Sequence, residues 1–417
     1  MSSSSRKAAG YAVFALTAAP AAWSQEWYFV PKVETAVEYN TNREMFTQDS
    51  QRDASEAYKA TLEGTIGYLT PTSDSTARPR IVLQEFPNRS GVDPVSLFLD
   101  ARTRRKTQRL DTDLIGRFAR QDTFNAEYGR AAFDDFDPSN PGTDETGIVL
   151  VGTTRTSYSA GPKIRYNLTE RALVGTELTY ERVDYESDSE NSRVGYKSPY
   201  AELTGIYDIG QRTEIEAGPY WTKFESDDGD KSDSVGGVIE LHHQWTEVNR
   251  LDLQFKFETS DNESADTPGV TDSSSNWGVE LVGYRSNRVG YVRYAVGRFL
   301  SPSGLGSRRE TDQVRVEYNR PMSARFAWGG SGRLMQDRAI DDSITSNSGD
   351  RDRAYGELYV TYSMTQEWYV RGGYRYAYFD DKNNTAGAAE NHTAYITFGF
   401  QGLSPPGRFR PLRQNSR

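Results

Sequence analysis

The chain has 417 residues, with 49 basic against 59 acidic side chains, a formal net charge of -10, no cysteine and 12% aromatic residues led by 26 tyrosines. The aromatics exclude intrinsic disorder, and the absent thiols exclude a disulfide framework, a thiolate metal site and an acylated N-terminal cysteine. The acidic balance speaks against nucleic acid as a partner, and after the N-terminal stretch no apolar run reaches the roughly 18 residues of a helical membrane span.

Arg6 and Lys7 precede an apolar stretch at residues 8–22, and Ala22-Trp23-Ser24 stands before Gln25. Charged segment, short apolar segment and small residues in that order predict a secretory signal peptide over residues 1–24. Cleavage there removes Arg6 and Lys7 and no acid, taking the formal charge from -10 to -12.

From there the dominant pattern has period two. Phe29, Pro31, Val33, Val37 and Tyr39 alternate with Lys32, Glu34 and Glu38. Tyr58, Ala60, Leu62, Gly64, Ile66 and Tyr68 alternate with Lys59, Thr61, Glu63 and Thr65. Strict alternation puts one set on each face of a strand. The stretch 79–133 offers four candidates: 80–86, 95–105, 109–121 and 124–133. The series then continues at 153–166, 172–185, 200–209, 213–224, 235–245, 251–257, 276–284, 291–299, 313–319, 325–334, 355–362, 368–378 and 393–400.

Taking every candidate gives about 19 strands, but a barrel with both termini in the periplasm needs an even number. The segment 124–133 is the one to set aside, because Asp134, Asp135 and Pro138 follow it at once; dropping 80–86 is nearly as good. Connections alternate in length. Short ones fall at 167–171, 210–212, 246–250, 285–288, 320–324 and 364–367. Long ones fall at 40–55, 186–197, 225–234, 259–275, 301–312, 336–353 and 379–391. The expected fold is therefore all-β: a transmembrane antiparallel up-and-down barrel of about 18 strands over residues 25–400, with short periplasmic turns and long extracellular loops. Aromatics sit at both strand ends, as interfacial girdles require: Trp245, Tyr318, Tyr362 and Trp368 near the short turns, Tyr39, Tyr58, Tyr180 and Tyr376 near the long loops. This places the chain in the outer membrane of a Gram-negative bacterium, with lipid and lipopolysaccharide as surroundings.

If the apolar set faces lipid, the alternate set faces the lumen. One sector would then carry Glu177, Glu181, Glu202, Glu214, Glu216, Glu240, Asp252, Glu258 and Glu280, with Lys256 among them. A second would carry Arg293, Arg315, Arg325, Arg333, Arg371 and Arg375, against Glu317 and Glu357. Arg102, Arg104, Arg117, Arg155, Lys163 and Arg165 form another basic stretch, tempered by Asp100, Asp111 and Asp113. Such a wall orients polar solutes and guides anionic ones. Its plainer meaning is a polar lining whose Arg–Glu pairs stiffen neighbouring strands. About 18 strands enclose an aqueous channel unless plugged. The first strand begins near Gln25, which leaves no room for a plug domain, so constriction falls to inward-folded loops, with 129–152 the longest candidate.

Tyr158-Ser-Ala-Gly-Pro-Lys-Ile-Arg-Tyr-Asn-Leu-Thr-Glu-Arg171 shows a strand entering a turn of the Asn-Leu-Thr-Glu-Arg type. Tyr207-Asp-Ile-Gly-Gln-Arg-Thr213 and Tyr362-Ser-Met-Thr-Gln-Glu-Trp368 echo it. In this the chain resembles the porin-like outer-membrane β-barrels found beside exopolysaccharide and exosortase systems of Gram-negative bacteria. The alginate-secretion porin is an 18-stranded, arginine-lined relative in architecture. The resemblance covers most of the mature chain and implies export of a polysaccharide or passage of small anionic solutes, with a periplasmic export partner. Barrels of that type finish on an aromatic strand end such as Phe398-Gly-Phe400. Here residues 401–417 continue as a basic tail with three prolines, expected to be disordered or to dock a periplasmic partner.

The three histidines, His242, His243 and His392, are kept apart by this topology, so no catalytic site is expected. The aspartates at 227, 228, 230 and 233 lack the ligand order of a calcium loop. No cofactor and no metal site follow from the sequence. A channel is the expected function, with a structural or partner-recruiting barrel as the alternative and an outer-membrane hydrolase behind both.

Overall fold

A computed structural model describes residues 26–43, 45–47, 54–87, 94–123, 153–186, 193–265, 271–302, 308–339, 350–382 and 387–403. Eighteen strands run through them: β1 (Glu26–Asn40), β2 (Ser55–Leu69), β3 (Ser73–Glu85), β4 (Val95–Lys106), β5 (Leu110–Asp122), β6 (Thr154–Asn167), β7 (Ala172–Glu186), β8 (Tyr196–Gly210) and β9 (Thr213–Ser226) form the first half. The second half is β10 (Lys231–Thr246), β11 (Asn249–Glu263), β12 (Thr271–Asn287), β13 (Gly290–Pro302), β14 (Arg308–Pro321), β15 (Phe326–Ala339), β16 (Arg351–Ser363), β17 (Trp368–Asp381) and β18 (Ala389–Gln401). Each strand pairs antiparallel with its chain neighbours. β1 also pairs with β18, from Lys32↔Gln401 to Asn40↔Thr393. The sheet closes, and no edge is left to expose unpaired backbone in hydrocarbon, where each orphaned group costs several kcal/mol.

Three of the four readings between 79 and 133 are strands, as β3, β4 and β5. The fourth, 124–133, lies outside the described residues. So do the leader 1–24, the 129–152 segment assigned to constriction, and the tail beyond Leu403. The upper strand ends depart from expectation. The long loop expected at 225–234 is two strands joined by residues 227–230 alone, and β11 continues to Glu263 in register with β10. Above the membrane both faces meet water, so alternation fades from the sequence while the hydrogen-bonded ladder continues.

The turns at the opposite end share one device. Thr70, Thr107, Thr169, Ser323 and Thr365 each accept, on their hydroxyl oxygen, the backbone N–H three residues on, at 2.8–3.1 Å. Hydroxyls of Ser and Thr mimic a backbone turn in this way. That is why the Asn-Leu-Thr-Glu-Arg pattern recurs. The β12–β13 turn is tighter, and Gly290 takes φ +144°, where a Cβ would lie 2.2 Å from the Asn319 carbonyl oxygen.

Residues directly opposite in an antiparallel pair share a face, so the register carries face assignments around the barrel. One face is apolar and exposed: Trp27 (72%), Leu358 (63%), Ile396 (64%) and Phe257 (52%) belong to it. A surface so rich in large apolar side chains can only be solvated by lipid. All eight girdle aromatics named from the sequence lie on this face. The other face holds buried polar groups, among them Glu38, Gln84, Glu216, Glu258, Arg315 and Arg333. It is the inside. An even-stranded barrel with an apolar belt, aromatic girdles and a charged interior has the architecture of bacterial outer-membrane proteins, and the Gram-negative outer membrane is its location. Tyrosine rings lie flat on this inner wall over glycines: Tyr369 over Gly399 and Tyr395 over Gly373, where an added Cβ would come within 2.3 and 2.5 Å of the ring.

Candidate functional site

The inner face divides by charge. On β14, β15 and β16, the inward positions carry Arg309, Arg315, Arg333, Arg351 and Arg353, each no more than 4% exposed. Arg315 and Arg333 stand directly opposite one another in the β14–β15 register. Arg333 donates to Gln313 Oε1 at 2.7 Å, Arg353 pairs with Asp337 at 2.6 Å, and Arg351 pairs with Asp381 at 3.1 Å. Like charges across a strand pair oppose each other, and burial sharpens the repulsion. This stretch of the inner wall is basic. Beside it, Arg375 bridges Glu38 at 2.9 Å and Glu357 at 3.1 Å, and Arg371 stacks over the Tyr359 ring at 4.8 Å.

A second sector, on β7 to β11, is acidic. Glu177 stands opposite Glu202, and Glu216 opposite Glu240. Lys163 reaches Glu177 at 3.1 Å. Arg165 on β6 spans to β9, donating to Glu216 and standing 3.6 Å from Glu214. Lys256 lies between the Tyr200 and Tyr220 rings, 5.2 and 5.5 Å from their centroids. Tyr220 donates to Glu258 at 2.8 Å. Arg308, at the start of β14, reaches across to Glu258 on β11 at 2.7 Å. Near the mouth, one basic side chain thus ties the two sectors together.

The register puts Arg102 and Arg104 (β4), Arg117 (β5), Arg155, Lys163 and Arg165 (β6), and Glu177 and Glu181 (β7) on the inward phase. Glu202, Glu214, Glu216, Glu240, Asp252, Glu258, Glu280, Arg293, Arg315, Arg333, Arg371 and Arg375 follow on β8 to β17. Arg325 is the correction. It lies before β15, exposed in the β14–β15 turn, because Ser323 caps the N–H of Phe326 and starts the strand one residue later. Arg102 and Arg104 are bound to Asp113 and Asp111, the latter pair at 2.6 Å, so the second basic stretch is partly neutralised by its own neighbours.

Arg308, Arg309, Arg351 and Arg353 are missing from the sequence reading. It started β14 at 313 and β16 at 355, where apolar alternation begins, yet both strands start lower in number, at Arg308 and Arg351. Ser and Asp alternating with Arg carry no hydrophobic period. The signal available was an unbroken parity of arginines, since 309, 315, 351 and 353 are all odd.

Described residues of the β1–β2 connection pack against the inner wall near β17 and β18. Asn42 takes a hydrogen bond from Phe46 N at 3.0 Å and donates to the carbonyls of Phe46 and Glu390 at 2.9 and 3.0 Å. Its own N–H donates to Asn391 Oδ1 at 3.0 Å. The clamp turns Met45 inward, at φ 53°, against Ala377 and Ala389. Arg43 lies over the Phe86 ring at 3.9 Å.

The histidines separate as expected. His243 faces outward beside Thr213 and Trp245, and His392 faces outward between Tyr374 and Tyr376. His242 faces in, held by Asp252 at 2.7 Å, with Glu216 and Glu240 each 3.4 Å from Nε2. Glu214, Glu216 and His242 could hold a metal ion, their ligand atoms lying within 4.8 Å of one another. The sequence named no metal site, because the β9–β10 register and not local spacing brings these residues together. Arg165 already occupies both carboxylates, and a cation there would have to displace it.

No family model and no curated protein matches the chain. Solved structures with a similar outline include OccAB4 of Acinetobacter baumannii, at 10% identity over 89% of this chain and 98% of that one, with a TM-score of 0.44. Another is OpdK of Pseudomonas aeruginosa with vanillate, at 11% identity, 89% and 98% coverage and a TM-score of 0.44. A third is OccK2 (OpdF) of the same organism in complex with glucuronate, at 8% identity, 91% and 99% coverage and a TM-score of 0.46. The likeness is loose, and the residues described above stand on their own geometry: an 18-stranded barrel whose inner wall has basic sectors on β4 to β6 and β14 to β17 and an acidic one on β7 to β11.

Proposed function

We propose that the chain is an outer-membrane channel for small anionic solutes, carboxylate-bearing ones foremost. The observation that carries this reading is the row of five inward arginines on β14 to β16, with Arg315 and Arg333 face to face. Guanidinium groups bind carboxylates in two-point fashion. Inside a low-dielectric wall their field reaches further than in water. The acidic sector on β7 to β11 repels the same solute.

Planar-bilayer recording tests the reading. A steady conductance with an anion-selective reversal potential is expected. Arg315→Gln with Arg333→Gln should shift the reversal potential toward cation selectivity while the barrel still inserts. Cation selectivity in the parent protein, unchanged by the double substitution, would refute anion passage.

The packing of Met45 against Ala377 and Ala389 and the Arg308–Glu258 crossing support a second reading, a barrel with a structural or partner-recruiting role and no transport. No measurable current under any salt gradient would favour it. Export of an acidic polysaccharide, the cargo implied by the exopolysaccharide-associated barrels, draws on the same arginine wall. Liposome swelling with sugars, sugar acids and acidic oligosaccharides separates these cargoes.

A further inference from the structure

The outer face at the long-loop end is not uniform around the barrel. Climbing from the apolar belt, the first charged residue on β5, β7, β8 and β9 is basic, while β6 offers Thr156 and Thr154. Arg120 follows Phe118 on β5, Arg182 follows Tyr180 on β7, Lys197 follows Pro199 on β8, and Lys223 follows Trp221 on β9. On the opposite flank it is acidic: Glu56 above Tyr58 on β2, Glu85 above Leu83 on β3, Asp352 above Ala354 on β16, and Asp380 above Tyr378 on β17. β10, with Asp233 above Val235, ends this run; beyond it β13 and β15 carry Arg298 and Arg338 on the outer face, each held by both Glu310 and Asp312.

On the basic flank the order from the membrane outward is ring or apolar side chain, cation, carboxylate. The carboxylates sit one step higher: Glu186 is 3.4 Å from Arg120, Asp184 2.7 Å from Arg182, and Glu225 3.0 Å from Lys197 and 3.7 Å from Lys223. These cations keep roughly a third of their side chains exposed, at 32%, 32%, 39% and 36%. Exposed ion pairs contribute little, so a ligand arriving from the membrane side meets little competition. Aromatic side chains favour the interface between acyl chains and headgroups, and long cationic side chains bury their stems and present their charge at that level.

We propose that the outer face of β5 to β9 at this height is a binding site for the phosphorylated glucosamine headgroup of lipopolysaccharide. Its phosphates accept hydrogen bonds from Arg120, Arg182, Lys197 and Lys223, and its acyl chains lie on Phe118, Tyr180 and Trp221. The acidic flank offers no such direct contact. The barrel therefore sits in its leaflet with a preferred side toward lipopolysaccharide.

The test is retention of lipid A by the folded full-length barrel in nanodiscs of phosphatidylcholine doped with lipid A. EDTA keeps divalent cations from bridging to carboxylates, and mass spectrometry counts the bound lipid. Parent protein should retain bisphosphorylated lipid A and release a phosphate-free analogue. Inorganic phosphate in excess should not strip the lipid. Arg182→Gln with Lys197→Gln and Lys223→Gln should weaken retention by about ten-fold to a hundred-fold. The charge-keeping set Arg182→Lys, Lys197→Arg and Lys223→Arg should restore it. Glu56→Gln with Asp352→Asn and Asp380→Asn should leave it unchanged. Unchanged retention in the neutralised variant, equal loss from the acidic-flank variant, or displacement by inorganic phosphate would each overturn the proposal. Bilayer conductance of the neutralised variant should match the parent, so this test and that of the channel fail separately.

Discussion

On the proposed reading, Arg315 and Arg333 set the anion selectivity. Removing one charge leaves its partner with less repulsion, so Arg315→Gln alone is expected to lower anion preference less than half as much as the double substitution. Reversal potentials of the two singles and the double form a cycle that checks this, because groups in contact are not additive. At the inner wall, Gly399→Val is expected to destabilise the barrel by about 1–3 kcal/mol through overpacking. The new side chain has nowhere to go, since its Cβ already lies 2.3 Å from the Tyr369 ring. Tyr369→Ala should relieve much of that loss, measured by urea unfolding in bilayers. Neither glycine–tyrosine pair could be named from the sequence, because the register that places Tyr369 opposite Gly399 is a property of two paired strands.

Individual strands explain which substitutions are tolerated. On β16, Leu358 faces lipid at 63% exposure, while its neighbour Glu357 faces Arg375 inside. Leu358→Lys is expected to cost about 2–4 kcal/mol if it lies at the bilayer midplane. On β15, Ser331→Lys, on the inward phase, should cost far less and instead change ion selectivity. Equal costs for the two would contradict the face assignment. The β1–β2 connection is the element most exposed to single-residue loss. Asn42→Ala removes the side-chain acceptor for Phe46 and the donor to the Phe46 and Glu390 carbonyls. We expect larger and noisier single-channel conductance, with heat-modifiable gel mobility unchanged. The strands were legible where they cross lipid and illegible above it. At β11, Phe255 and Phe257 alternate with Lys256 and Glu258, but Ser260, Asp261 and Asn262 do not alternate at all, although they remain paired with β10.

For the whole molecule, closure is the property on which everything else depends. Thr35 and Phe398 stand opposite on the outer face of β1 and β18. Thr35→Cys with Phe398→Cys should therefore form a disulfide on oxidation in a chain with no other cysteine. The cross-linked product should migrate as a compact species even after boiling in detergent. Absence of the cross-link in folded protein would disprove the seam.

What the sequence determined by itself was the architecture: period-two alternation needs only the chemistry of neighbours in the chain, and lipid outside with water inside forces alternation in every crossing strand. From it came the strand series, the short and long ends and the girdles. The tertiary structure alone decided which charges meet. Arg165 with Glu216, Arg308 with Glu258, and Arg375 with Glu38 lie 51, 50 and 337 residues apart. Glu214, Glu216 and His242 converge for the same reason. Register and curvature bring such groups together, and both are settled only when the last strand finds the first.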